Sequence, residues 1–236
     1  MKNLAQVESN EPWGTLATLE DNPRYLYQRL HLSPSVGMDI ATYTRTFGSF
    51  YVVGGHADIG ICDQRGSYAF QVKTGDTVQF DLLRSFHISS GDLGVILQGV
   101  STEGHGLHID KRDHLVTKPW GDEHWLQLND RFCFKRIRIT AGTRTSYQYH
   151  NKKFETNYID EGFAEVWFGV DEQGNPIRYE AREHDFFSVP PGIRHRIIAK
   201  TDLVLLEAST PEVDDVIRLQ DDAGRADGRI EAEHRS

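Results

Sequence analysis

The chain has 236 residues, 38% of them hydrophobic and 26% charged, and a formal net charge of −9. No basic stripe interrupts that acidic balance, which argues against nucleic acid as a partner. The opening MKNLAQVESNEPWG lacks an apolar leader core and no stretch is long enough to span a bilayer, so a cytoplasmic enzyme or binding protein with no membrane contact is expected.

Taken in chain order, the first landmark is Pro12-Trp13-Gly14, which recurs as Pro119-Trp120-Gly121 at an offset of 107 residues. At that offset residues 12–61 align on 119–168 without a gap. Asn22 meets Asn129, Arg24 meets Arg131, Tyr51 meets Tyr158 and Gly55 meets Gly162. YLYQRLHL in the first copy returns as FCFKRIRI in the second, alternating as half-buried strands do. The chain therefore reads as two tandem copies of one β-domain. Cys62 and Cys133 each stand in an apolar strand-like run and are expected to be buried free thiols. Residues 105–118, with His105, His108 and His114 among glycine and charge, read as a solvated connector. Beyond it come short β-branched or aromatic segments (TSYQYH, FAEVWFGV, DFFSVP, HRIIAK, LVLLEAS) separated by the turn sequences DEQGNP and PPG. Helical periodicity is confined to short stretches near 20–29 and 211–220, and the whole predicts an all-β barrel or jelly roll. The domains predicted are 1–104, a connector 105–118, 119–225, and a charged tail 226–236 expected to be mobile.

Within the second copy, Gln148 and His150 are two apart, so on a strand their side chains leave the same face. Glu155 follows closely, and the turn PPGIRH would bring His195 to the same place. Two imidazoles, a carboxylate and an amide oxygen suit a divalent metal. Zinc heads the candidates, with manganese, iron, cobalt and nickel as alternatives.

These residues carry a resemblance. Gly142, Gln148, His150, Glu155 and Gly162, with Pro190-Pro191-Gly192-Ile193-Arg194-His195, resemble the two motifs of the cupin superfamily over roughly 119–225. The resemblance implies tandem double-stranded β-helix (cupin, jelly-roll) barrels, a bicupin. His184 and Ala199 depart from the second motif, where glycine and asparagine are usual. Lys118-Pro119-Trp120-Gly121, Ser146-Tyr147-Gln148-Tyr149-His150 and the run from Asp214 to Arg225 are similar to the cupin domain of mannose-6-phosphate isomerases. Lys153, Asn157 and Ala223 stand where that family tends to have arginine, tryptophan and tyrosine. In the first copy the aligned ligand positions are Ala41, Tyr43 and Gly48, with Phe86 near the place of His195, so this half is a degenerate cupin without metal ligands. It would serve as a structural or interface half, or hold a pocket for something other than metal.

The resemblance implies a metal-dependent sugar or sugar-phosphate aldose–ketose isomerase, acting through a metal-stabilised enediolate. Gln148, His150, Glu155 and His195 are the expected ligands. Arg218 matches the family's functional arginine and would hold an oxyanion or a phosphate, unless it only pairs with Asp214 or Asp215. Lys153 is the best placed of several basic residues (Lys135, Arg136, Arg144 and Lys152 are the others) for a phosphate contact. Trp120 reads as a packing anchor, because Trp13 repeats it. Two other functions compete: a cupin Fe(II) dioxygenase, and a non-catalytic sugar-binding or regulatory bicupin. The partner expected is a small sugar or sugar phosphate, and because cupins often pair through sheet edges a homodimer is a further expectation.

Overall fold

The structure, a computed structural model, describes residues 1–64, 66–105 and 108–234. It is built almost wholly of strands, and the helical segments among the described residues are three short 3-10 turns. Residues 20–29 and 211–220, where helical periodicity was expected, enter the strands Leu26–Leu32 and Ile217–Gln220 after a turn. The alternation of the flanking residues outweighs the weak helical pattern there. Among the described residues no helix is long and apolar enough to cross a membrane.

The chain divides into two compact units, one of Ala5–His108 and one of Met1–Leu4 with the residues from Ile109 onward. The first boundary therefore differs from the sequence expectation at both ends. Strand Lys2–Asn3 pairs with strand Asp185–Val189, so the chain's beginning joins the second unit. The supposed connector is largely strand Ile109–Lys118, an edge of the second unit's larger sheet paired along Gly121–Asn129. Gly106 and Leu107 of that connector lie outside the described residues. Of its histidines, His105 meets Asp81 at 2.6 Å, whereas His114 is half-buried with its ring edge-on to Trp125.

The internal repeat is carried by residues that fix the backbone. Asn22 Oδ1 accepts from the amides of Arg24 and Tyr25, and Asn129 Oδ1 accepts from those of Arg131 and Phe132, so the same Asx turn starts the same strand in each unit. Gly55 and Gly162 hold φ of 84° and 94° at matching bulges. A Cβ at either would stand 2.3 or 2.2 Å from a carbonyl oxygen across the sheet, of Gly94 and Asp202 respectively, which leaves only glycine.

In the first unit two long strands, Phe47–Asp63 and Ser85–Thr102, pair with each other and carry most of the barrel. Their inward side chains fill it. Phe50 and Phe80 stack at 5.0 Å, Phe86 packs edge-on to Phe80, and the remaining cavity is about 10 Å³. That volume barely admits one water, so these described side chains fill the space between them as a packed core. Ala41 is exposed in the 3-10 turn Ile40–Thr42, Tyr43 packs edge-on to Trp13, and Gly48 lies against Phe80. Cys62 is exposed, not buried as expected, because the face carrying it and Ser67 lies outside the core. Cys133 is buried in the second unit, and burial pushes its thiol up to about 12.

The second unit is a sandwich of two sheets. The larger runs in the order Lys2–Asn3, Asp185–Val189, Glu155–Glu161, Leu203–Ser209, Cys133–Ile139, Gly121–Asn129, Ile109–Lys118. The smaller runs Pro176–Arg182, Phe163–Val170, His195–Ala199, Tyr147–Tyr149, Ile217–Gln220. Ile137, Ile139, Ile159, Val166, Ile197 and Leu205 close the space between them. Trp120 belongs to this core, as an anchor should. One end of the sandwich is polar.

Candidate metal centre

Both sheets send side chains into that polar end. On the smaller sheet Gln148 stands between His195 and Arg218 in a single rung of three strands. On the larger sheet Glu155 opens its strand, and Asn157, Glu207 and Lys135 make a second rung. The turn Pro190-Pro191-Gly192 explains how His195 arrives. Gly192, at φ 83°, donates its amide to His150 O at 2.7 Å, which ties the second motif to the first.

His150, Glu155 and His195 are all buried, and each offers one ligand atom within 4.8 Å of the others. His150 Nδ1 donates to Asp215 O, and His195 Nδ1 donates to Ile193 O at 3.0 Å. With both Nδ1 protons committed, the two Nε2 lone pairs face the carboxylate, at 3.5 Å for His150 and 3.3 Å for His195. His150 Nε2 is buried without a hydrogen-bond partner. Three acceptors pointed at one another repel unless a cation stands among them, and the donor set fits a divalent metal on that ground. Gln148 completes the cluster, with Nε2 3.5 Å from His195 Nε2 and Oε1 accepting from Ser146 Oγ at 2.5 Å. Offering its oxygen to a cation requires the amide to turn over, which Ser146 permits because a hydroxyl accepts as readily as it donates.

Lys153 is buried and bridges Glu155 Oε2 at 2.6 Å and Glu207 Oε1 at 2.9 Å. Burial would lower its pKa, but the two carboxylates raise it above the ordinary lysine value. Burial alone would raise Glu155, but the Lys153 ammonium beside it holds it well below the usual carboxylate range. The bridge is one end of a series. Glu207 lies 3.8 Å from Lys135, Lys135 3.1 Å from Glu123, Glu123 3.7 Å from Lys118, and Lys118 2.9 Å from Glu233. Despite desolvation, Lys135 and Lys118 hold Glu123 at about 2. Alternating charge thus lines the pocket wall from the metal-type cluster to Lys118, and Glu233 continues it beyond the lining.

Arg218 lines the same pocket, but it does not pair with Asp214 or Asp215. Its Nη1 donates to the carbonyls of Ala226 and Gly228, its backbone amide donates to Asp227 Oδ1 at 2.7 Å, and its Nε is buried without a partner. Arg144 pairs with Asp222 at 2.5 Å, and neither it, Arg136 nor Lys152 lines the pocket. Asp215 is a residue that sequence reasoning missed. Its carboxylate accepts from the amides of Lys152 (2.5 Å) and Lys153 (3.0 Å) while its carbonyl orients His150, so it fixes the loop between two expected ligands. Those amides outweigh the desolvation that would raise its pKa, and the net shift is downward. The pairing of two acidic residues three and four positions before Arg218 was its only signal.

Asn157, at the place of the family's tryptophan, is buried and donates to Glu155 Oε1 at 3.2 Å. His184, at the place of a glycine, holds φ 71° and takes part in a 2.7 Å bond between its Nδ1 and Tyr158 OH.

Residues 106–221 match the family described as mannose-6-phosphate isomerase C-terminal. The chain is 29% identical over 115 residues to the xanthan biosynthesis protein XanB of Xanthomonas campestris pv. campestris (strain B100), covering 47% of this chain and 23% of that protein. It is 27% identical over 142 residues to mannose-1-phosphate guanylyltransferase of Salmonella montevideo, covering 57% of this chain and 28% of that one. The chain thus spans about a quarter of the length of these relatives. In fold it is similar to the oxalate decarboxylase of Lactobacillus farciminis, solved as a formate complex, with TM-score 0.66, 12% identity, and coverage of 92% of this chain and 88% of that one. A Bacillus subtilis oxalate decarboxylase structure, described by its Mn(II) centres, gives TM-score 0.67, 13% identity, and 92% and 78% coverage.

Proposed function

We propose that the second half of this bicupin fold, which resembles the mannose-6-phosphate isomerase C-terminal domain, is a metal-dependent aldose–ketose isomerase of a sugar or sugar phosphate. The observation that carries the reading is the convergence of two committed-tautomer histidines on a buried carboxylate. His150, Glu155 and His195 hold the cation, with Gln148 as fourth donor. When bound, a divalent cation supplies Lewis-acid polarisation of neighbouring carbonyl and hydroxyl oxygens.

The remaining work falls to the chain's own groups. Lys153 stays cationic between Glu155 and Glu207 and keeps Glu155 ionised and oriented; it is a positioning residue, not a proton acceptor. Arg218 presents its unpartnered Nε to an oxyanion or phosphate oxygen in the pocket. Ile137, Ile139 and Ile197 line the inner wall and exclude water from that contact.

The test compares metal-stripped and metal-reloaded protein on mannose 6-phosphate and a panel of free and phosphorylated aldoses. The reading expects turnover only after reloading, and its loss in Glu155→Gln. Full activity in the stripped protein would remove the metal from the mechanism. Ligand binding without turnover under any metal would make the chain a binding protein instead.

A further inference from the structure

The family match ends at residue 221, yet part of the pocket's lining comes from beyond it. Arg225, Gly228, Arg229 and Ile230 face the same space as Glu155 and His195. The segment expected to be a mobile tail is therefore folded over the site as far as it is described; residues 235–236 lie outside the described residues.

The segment is held by charge and backbone bonds. Ile230 is the one bulky apolar side chain among residues 226–233, so hydrophobic burial contributes little. Glu233 accepts from Lys118 Nζ at 2.9 Å and from Arg225 Nη1 at 3.2 Å, and all three side chains are only 9–11% exposed. Arg225 is itself forked onto Asp221 at 2.8 and 3.1 Å. Gly228 donates its amide to Val216 O at 2.8 Å. Beneath it the cavity measures about 90 Å³. Pockets that enclose drug-sized ligands run to roughly 300–1,000 Å³, so the space left beneath the segment is small by comparison.

We infer that Ala226–Glu233 is a latched cover over the second barrel's pocket and that Glu233 is its latch, setting the size of ligand that reaches the cluster. Closed, the pocket admits only a small molecule. Open, it admits a sugar phosphate, and Arg218 loses its two carbonyl acceptors on Ala226 and Gly228. The freed guanidinium then turns to the incoming anion, so opening and substrate capture share one side chain. The inference rests on the proposed metal site for one of its two readouts only.

The experiment uses the full chain loaded with Co²⁺, in wild type and Glu233→Gln. One readout is the rate at which 4-(2-pyridylazo)resorcinol extracts the metal; the other is amide hydrogen exchange over residues 226–230. The cover predicts that both rise about tenfold or more in Glu233→Gln. Equal extraction and equal exchange in the two proteins overturn it. If the protein retains no cobalt, the metal reading fails and exchange alone decides the cover. If Glu233→Gln does not fold, Glu233→Asp, which keeps the charge and shortens its reach, is expected to give the same increases in smaller measure, and unchanged rates in that variant overturn the cover.

Discussion

Glu207→Gln probes the buried charge series one step away from the expected ligands, because Glu207 touches Lys153 and not the ligands themselves. Its carboxylate lies 2.9 Å from Lys153 Nζ and 3.8 Å from Lys135 Nζ and is almost fully buried. At an effective dielectric constant of about 20 these contacts are worth about 6 and 4 kcal/mol. Desolvation of the carboxylate offsets much of that, and removing one partner of such a buried group costs about 3–5 kcal/mol, chiefly through the cations left behind. Glutamine keeps the volume and one hydrogen bond, which places the expected loss toward the lower figure. At about 3 °C per kcal/mol the second unit's thermal midpoint falls by about 10 °C. The assay is thermal unfolding of metal-free protein by circular dichroism, repeated for Lys135→Met and the double variant. The double variant should recover part of the loss, giving a coupling energy above about 1 kcal/mol. A midpoint within about 2 °C of wild type, or strictly additive losses, would refute the claim that these charges hold one another.

Glu123 gives a pH-dependent counterpart. Its folded pKa of about 2 lies below the ordinary value of 4.5, so its contribution is present above that value and is lost as pH falls toward 2. The shift corresponds to about 3 kcal/mol, and denaturant titrations between pH 5 and 2 should show a flatter profile for Glu123→Gln than for wild type by that amount; parallel profiles would contradict it. At His184 the left-handed backbone and the bond to Tyr158 oppose each other. His184→Ala loses the bond and keeps the strain, whereas His184→Gly relieves the strain, so the glycine variant should be the more stable of the two by about 1 kcal/mol in urea unfolding. The reverse order would show that φ 71° carries no strain there.

What the sequence disclosed follows from where information is local. The repeat was legible because Asn22, Asn129, Gly55 and Gly162 fix turns and bulges by themselves. Gln148, His150, Glu155 and His195 were legible because strand alternation and a tight turn place them, whatever the distant strands do. The charge series was not, since Lys118, Lys135 and Glu207 stand on separate strands and Lys153 on the loop before Glu155, far apart in sequence, and they meet only in the folded unit. Asp215 hides its role for a similar reason: its carbonyl, not its side chain, orients His150. The tail was misread because composition records apolar content, and this segment is held by Glu233, Arg225 and backbone bonds.

The central claim is that His150, Glu155 and His195 form a metal centre. Its most direct test is the divalent metal content per chain, by elemental analysis after metal loading and exhaustive dialysis, of wild type and His150→Ala. The account predicts one ion per chain in wild type and none in the variant. No retained ion in wild type, or equal retention in both proteins, would contradict it.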